Sequence, residues 1–334
     1  MYNDDVRSGK HISEDLMKYI IGADGGGTKT ILAAADIDGN IIARAQTGGI
    51  NYNFIGYRAA SEHFIGGIRA LGINSGDIAA IAIGDPSTDD INTTPGTEDF
   101  TASLRQNIPL QAEVPLFIRS DAFMALYGLT AGKAGVLMIS GTGAMGMAFD
   151  GSGNIHVAGG WGRITEDEGS GYYIAVSGIK AALRYHDGIG PPTLLSDAMA
   201  DFFGEKNPRR LIYSFYEDPG TPPDIASFSA AVSKCAAAGD IQAAAILRDA
   251  AGFLSSYTAS LVKRIKNNCC KIGIYGSVLT NDSFIRNLYT ENIGRLFPKA
   301  QILIPEIKPE AAAVLYTLNH LNDENPRSTK NTDV

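Results

Sequence analysis

The sequence predicts an α/β protein built from two related domains that face one another across a cleft. A meander of three apolar strands, linked by a glycine turn and then a polar turn, occurs near residue 19 and again near residue 135. Each copy is followed by helix and strand in the same order, which marks a duplicated unit. At 334 residues, with 45% hydrophobic and 19% charged residues, the chain is long enough for two cores.

The first copy reads YIIGAD, GGGT, KTILAAAD, DGN and IIARAQT, with Asp38-Gly39-Asn40 closing its second hairpin. Helical sequence follows over 54–71, then the strand IAAIAIG, a polar stretch over 85–97, a short helix, the strand VPLFIRS and a helix from Asp121. The second copy reads GVLMIS, GTG, AMGMAFD, GSGN and IHVAG. An Ala-rich helical insertion over 188–268, with apolar residues three and four apart, precedes KIGIYG, a helix from Asp282, QILIP and PEAAAVLYTLNHL. The expected organisation is a flexible extension over 1–18, an N-terminal domain over 19–120 completed by a last helix over 309–322, a C-terminal domain over 121–308, and a disordered tail over 323–334.

Composition narrows the partners. Thirty-six acidic against 28 basic residues give a net charge of -8, which repels phosphate backbones and anionic lipid and argues against nucleic-acid or membrane binding. The first 18 residues lack the apolar core of a secretory signal, and no apolar run approaches the roughly 20 residues of a membrane span. A cytoplasmic protein is expected. Of the three cysteines, Cys269 and Cys270 are adjacent, where a disulfide is strained, and Cys235 has no further metal ligands at short spacing.

Asp24-Gly25-Gly26-Gly27-Thr28-Lys29 puts three glycines between two apolar strands. Without Cβ atoms, such a turn can approach phosphate oxygens and aim several N–H groups at them, with the Thr28 hydroxyl and Lys29 ammonium as further donors. Asp24 is placed to hold Mg²⁺ through water, since that ion keeps most of its hydration shell. The competing account is a plain hairpin in which glycine supplies positive φ. Ser140-Gly141-Thr142-Gly143-Ala144 occupies the equivalent place in the second copy. Gly141, Gly143 and Gly146 fit GxGxxG, but a strand follows instead of a helix, and no GxxxxGK[ST] occurs. Two glycine hairpins gripping one polyphosphate is the economical reading.

Gly159-Gly160-Trp161-Gly162, followed by Glu166-Asp167-Glu168-Gly169-Ser170-Gly171, holds the single tryptophan and three consecutive carboxylates. Carboxylates accept hydrogen bonds from sugar hydroxyls. An acidic first turn of the next helix would account for one or two of these acids, but not for the Trp-Gly context.

Taken in order, DGGGTKT, SDA, ISGTGA, GGWG, DEGSGY and YGSV resemble the N-acetylglucosamine kinase-like ATPases. That family belongs to the actin and hexokinase superfamily and is related to the benzoyl-CoA reductase type ATPases. The resemblance spans residues 19–321. It implies two actin-like, ribonuclease H-like domains, ATP and Mg²⁺ as cofactors, a small-molecule amino sugar as substrate and a homodimer. Gly25, Gly26, Gly27, Thr28 and Lys29 would form the first phosphate loop, and Gly141, Thr142 and Gly143 the second, with Thr142 near both the transferred phosphoryl group and the sugar. Asp121 matches the catalytic base. Asn51, Gly160, Trp161, Gly162 and Asp167 match sugar contacts, and Gly276 and Thr280 match the adenosine site. From the residues alone, Asp121 reads equally well as a helix N-cap. The chain departs from the family at Glu166 and Glu310, where glycine is usual, and at Asp85-Pro86, where relatives carry a glycine-rich turn. A carboxylate at Glu166 would suit a cationic amino sugar. Two other readings stay open, an ATPase activator and a non-catalytic sugar sensor.

Overall fold

The computed structural model describes residues 18–88, 95–108, 114–217, 224–267 and 270–324. The expected extension before Lys18, the middle of the 85–97 stretch, Cys269 and the tail beyond 324 lie outside these residues.

Strands β1 (Tyr19–Asp24), β2 (Lys29–Ala35) and β3 (Ile41–Gly48) form the first antiparallel meander. The chain crosses through α1 (Tyr52–Ala70), broken at Gly56 where φ is 79°, to β4 (Ile78–Asp85), which runs parallel to β1. A parallel pair needs such a crossover, and α1 supplies it. Then come α2 (Pro95–Asn107) and β5 (Leu116–Ser120), giving a sheet of order β3-β2-β1-β4-β5. The helix α3 (Asp121–Thr130) leads to the second meander, β6 (Gly135–Ser140), β7 (Ala144–Phe149) and β8 (Ile155–Gly159).

Four helices follow, α4 (Gly171–His186), α5 (Leu195–Phe203), α6 (Pro208–Glu217) and α7 (Ser229–Ala237), and then the long α8 (Ile241–Arg264). The second sheet is completed by β9 (Lys271–Tyr275), with α9 (Ser277–Asn281) and α10 (Ser283–Leu296) leading to β10 (Gln301–Leu303). Its order, β10-β9-β6-β7-β8, is the first sheet's order with each strand replaced by its counterpart. Within the 188–268 stretch, α8 packs against β6, β7 and β8 as α1 packs against the first sheet, so the additional helices are those between α4 and α8.

The last helix, α11 (Pro309–Glu324), returns to the first sheet, against β1, β2 and β4, and also packs on α3. Gly22 permits this, because a Cβ there would lie 2.2 Å from the Glu310 carbonyl oxygen. Beneath α3 and α11, Ala82, Phe123, Leu126, Leu137, Met147 and Tyr316 form one apolar cluster that draws on both sheets. No helix among the described residues is long and apolar enough to cross a membrane.

Candidate active site

In both sheets the residues singled out above lie at the carboxyl ends of parallel strands: Asp24 on β1, Asp85 on β4 and Asp121 just after β5 in one, Gly141 after β6 and Gly276 after β9 in the other. Ligands of open α/β sheets bind at such ends.

The first glycine turn is not a hairpin that needs positive φ, since none of Gly25, Gly26 and Gly27 lies in the left-handed region. Close approach is what demands glycine. A Cβ at Gly25 would sit 2.6 Å from the Gly84 carbonyl oxygen, and one at Gly26 would sit 2.7 Å from that of Lys29. The Gly25 amide donates to Gly84 O at 2.7 Å, and Ile50 N donates to Gly26 O at 3.0 Å, so the turn is docked on the strand end and on the residues before α1. At Gly27 a Cβ would meet nothing within 4 Å, which leaves the tip open. Thr28 and Lys29 are exposed beside it. Asn51, next to Ile50, carries a buried Oδ1 with no hydrogen-bond partner among the described residues.

Carboxylates crowd this wall. Burial, followed by the neighbouring Asp121 and Glu310 charges, raises Asp24 to about 6, against a smaller opposing pull from Lys29. The N-cap of α3 is Ser120, whose Oγ accepts from Phe123 N at 3.0 Å. Asp121 is therefore free of the capping role. Its Oδ1 accepts from the adjacent Ala122 N at 2.7 Å, the residue is exposed, and desolvation pushes its pKa up against the backbone donors. Asp85 is wholly buried, with Thr88 Oγ1 2.7 Å from Oδ2 and Ser87 N 3.0 Å from Oδ1, and burial still raises it. Glu310 is buried at the start of α11 and paired with Arg44 at 3.0 Å. No group of three His, Cys, Asp or Glu side chains able to hold a metal directly occurs among the described residues.

The second wall is built from backbone. Gly141 and Gly143 also lie outside the left-handed region, and Gly141 N donates to Gly143 O at 2.9 Å. The N-terminus of α4 docks on this turn, through Gly171 N to Gly141 O at 2.7 Å and Tyr172 N to Thr142 O at 3.3 Å. Gly276, at φ 86°, lies so close that a Cβ would be 2.3 Å from Ser140 O. Asp167 is buried at φ 81°, and its Oδ1 accepts from Ala144 N at 3.3 Å. Gly160 and Gly162 have φ of 80° and 89°, and between them Trp161 is 80% exposed.

Tyr275 connects the walls. It ends β9 in the second lobe, and after burial the Asp24 and Asp121 carboxylates of the first lobe are what raise its pKa. Its signal in the sequence was its place directly before Gly276. From Gly141 and Thr142 a cavity of about 600 Å³ runs between α7 and the α9–α10 corner, past Ser233, Lys234, Ser277, Asn281 and Phe284. Thr280 does not line it. Its hydroxyl bonds Gly276 O at 2.9 Å and Asn281 Oδ1 at 3.2 Å, both on its own short helix. Pattern reading missed Ser233 and Lys234 because nothing local distinguishes them from other helix residues. Cys235 and Cys270 are buried in the second-lobe core.

A doubled five-stranded sheet with a cleft at the strand ends defines a protein of two actin-like ATPase-type domains. It superposes on a candidate N-acetylglucosamine kinase of Chromobacterium violaceum with a TM-score of 0.68 at 22% identity, covering 91% of this chain and 99% of the other. The chain belongs to the BadF/BadG/BcrA/BcrD ATPase family, whose model matches residues 21–317. It is 31% identical over 293 residues to an N-acetylmuramic acid/N-acetylglucosamine kinase of Clostridium acetobutylicum, covering 86% of this chain and 94% of that one. To an N-acetyl-D-glucosamine kinase of Dictyostelium discoideum it is 29% identical over 319 residues, covering 90% and 98%.

Proposed function

We propose that this ATP-dependent sugar kinase transfers the terminal phosphoryl group of ATP to the 6-hydroxyl of an amino sugar, N-acetylglucosamine or glucosamine, with Asp121 as general base. The observation that carries the reading is the placement of Asp24, Asp85 and Asp121 at the carboxyl ends of the first sheet's parallel strands and of Gly141 and Gly276 at those of the second.

Phosphoryl transfer asks a protein mainly for alignment and charge neutralisation. Gly25, Gly26, Gly27, Thr28 and Lys29 would offer donors from one side, and Gly141, Thr142 and Gly143 from the other. The cavity beyond Thr142 has the volume of a nucleoside site, which spans about 300–1,000 Å³. Gly276 would let the backbone close on the nucleotide. Asp24 would hold Mg²⁺ through water, since its carboxylate is crowded by two others whose charge a cation offsets. Bound there, the ion would neutralise phosphate charge. Asp121 would accept the proton of the sugar hydroxyl, and its raised pKa brings it closer to the working pH of a base. The buried, unpartnered Asn51 Oδ1 calls for a donor, which a sugar N–H or O–H supplies. Gly160, Trp161, Gly162 and Asp167 would face the sugar from the second lobe. Closure of the cleft would exclude water, so that the hydroxyl outcompetes hydrolysis. The enzyme works in the cytoplasm as a homodimer, for which sedimentation at micromolar concentration is the check; a monomer there refutes the dimer.

The test is ADP release across N-acetylglucosamine, glucosamine, N-acetylmuramic acid and glucose, with Asp121→Asn as control. Turnover is expected to depend on an amino sugar and on Asp121. ATP loss independent of sugar and indifferent to Asp121→Asn sinks the kinase reading.

A further inference from the structure

Glu166 stands beside the residues read as sugar contacts, yet its carboxylate is already engaged. Oε1 accepts from the Tyr257 phenol, and Oε2 accepts from the Trp161 amide at 3.3 Å. The same phenol lies 2.8 Å from Glu168 Oε2. Tyr257, on α8, therefore meets the two acids that flank Asp167, while Asp167 accepts from Ala144 N and fills the space that a Cβ at Gly143 would need. A phenol has one proton to give, so it serves one acid at a time and holds the second beside it.

The rest of the segment hangs on this point. Glu166 N donates to Gly162 O at 2.9 Å, and Thr165 Oγ1 donates to Trp161 O at 2.9 Å, so Trp161, Gly162 and Glu166 move as one piece. Gly159 packs against the same pair: a Cβ there would lie 3.2 Å from Glu166 Oε1 and 3.5 Å from the Tyr257 ring. Asp167 sits in the left-handed region, which a non-glycine residue keeps only when its surroundings impose it.

We infer that Tyr257 is a positioning residue for the sugar side of the cleft: by tying Glu166 and Glu168 to α8 it fixes the direction of Asp167 and the place of the Gly160-Trp161-Gly162 turn. The sugar side has that meaning only under the kinase reading above. Glu166 is thereby a brace for the loop, with both of its carboxylate oxygens engaged by the protein itself.

The experiment measures KM for N-acetylglucosamine and for ATP separately in wild type, Tyr257→Phe and Glu168→Gln, together with amide hydrogen exchange across residues 159–168. Tyr257→Phe keeps the ring and removes only the hydroxyl. It is expected to raise the sugar KM about tenfold, the scale of one charge-assisted hydrogen bond, while the ATP KM stays within about twofold. Exchange should accelerate at Trp161 and Glu166 and not in the second-lobe core. Glu168→Gln should show the same split at smaller size, and it decides the matter if Tyr257→Phe fails to fold. An unchanged sugar KM, or equal rises in both KM values, overturns the inference. If wild type shows no sugar-dependent turnover, the kinase reading fails instead, and unchanged exchange at 159–168 in the variants then refutes the clamp on its own.

Discussion

The two walls of the cleft share one topology and almost none of their chemistry. On the first, Asp24, Asp85 and Asp121 are all raised above their ordinary value, because burial outweighs the hydrogen bonds they receive and, at Asp24, the neighbouring Asp121 and Glu310 charges add to it. On the second, burial would raise Glu166 too, but donors from Tyr257 and from the Asp167 and Trp161 amides outweigh it and hold the group below its ordinary value. One wall gathers carboxylates whose charge burial disfavours, and the other is a frame of backbone turns braced by hydrogen bonds. Duplication thus gave two sheets of one strand order, and the division of labour lies in the few residues at the strand ends.

The sharpest way to break this contrast is Asp121→Asn. If the first wall carries the chemistry, kcat falls by about 10² or more with the ATP KM nearly unchanged, as expected for loss of a positioned base. A loss confined to KM would move Asp121 to binding. Next comes a pair of glycine substitutions, one per wall. Gly276→Ala drives a Cβ to 2.3 Å from Ser140 O at φ 86°, and should cost about 1–3 kcal/mol of stability by thermal melting. Gly27→Ala meets nothing within 4 Å and should leave melting unchanged within about 0.5 kcal/mol. Any rise in ATP KM in Gly27→Ala then reports an approaching phosphate, and no rise argues against a phosphate at that tip.

The opposite pKa directions give a third test, read from the sign of each curve. Asp85 binds its proton more tightly when folded than its ordinary value of 3.8, so its contribution is present below that pH and is lost as pH rises. Relative to wild type, Asp85→Asn should gain in melting temperature as pH is raised from about 4 towards 7. Glu166 is depressed from 4.5, so its contribution is present above that pH and is lost on acidification. The deficit of Glu166→Gln should shrink as pH falls below about 4.5. Curves of the same sign would erase the distinction between the walls. The smallest effect belongs to Thr280→Val, whose hydroxyl serves its own helix; ATP KM should stay within about twofold, and a larger rise would return Thr280 to the nucleotide.

Much of this fold was legible in the sequence because its signals are local. Apolar runs such as YIIGAD and GVLMIS, punctuated by glycine, mark strands wherever they occur, and their repetition revealed the duplication. The glycine turns were equally visible, although positive φ, the competing explanation, was excluded only by the backbone itself. Asp121 shows the limit: Asp and Ser are both favoured caps, and only the geometry of Ser120 Oγ freed the aspartate. Long-range partners left no local trace. Tyr257 lies 91 residues from Glu166, and Ser233, which donates to Asp282, lies 49 residues from it. Such pairs are set by topology, which no periodicity encodes. The same reason hid the role of α8, whose spacing is that of any amphipathic helix although it covers a whole sheet.

The return of α11 to β1 has a consequence for biosynthesis. Ile20 and Ala35 are buried against Val314, so β1 and β2 wait for residues translated long after them before their apolar face is covered. On a ribosome, the lobe spanning β6 to β10 can close before the lobe that was translated first, against the usual order in which N-terminal domains mature early. A chain truncated after residue 308 and released from the ribosome should therefore show protease-resistant second-lobe fragments alongside a cleavable first lobe.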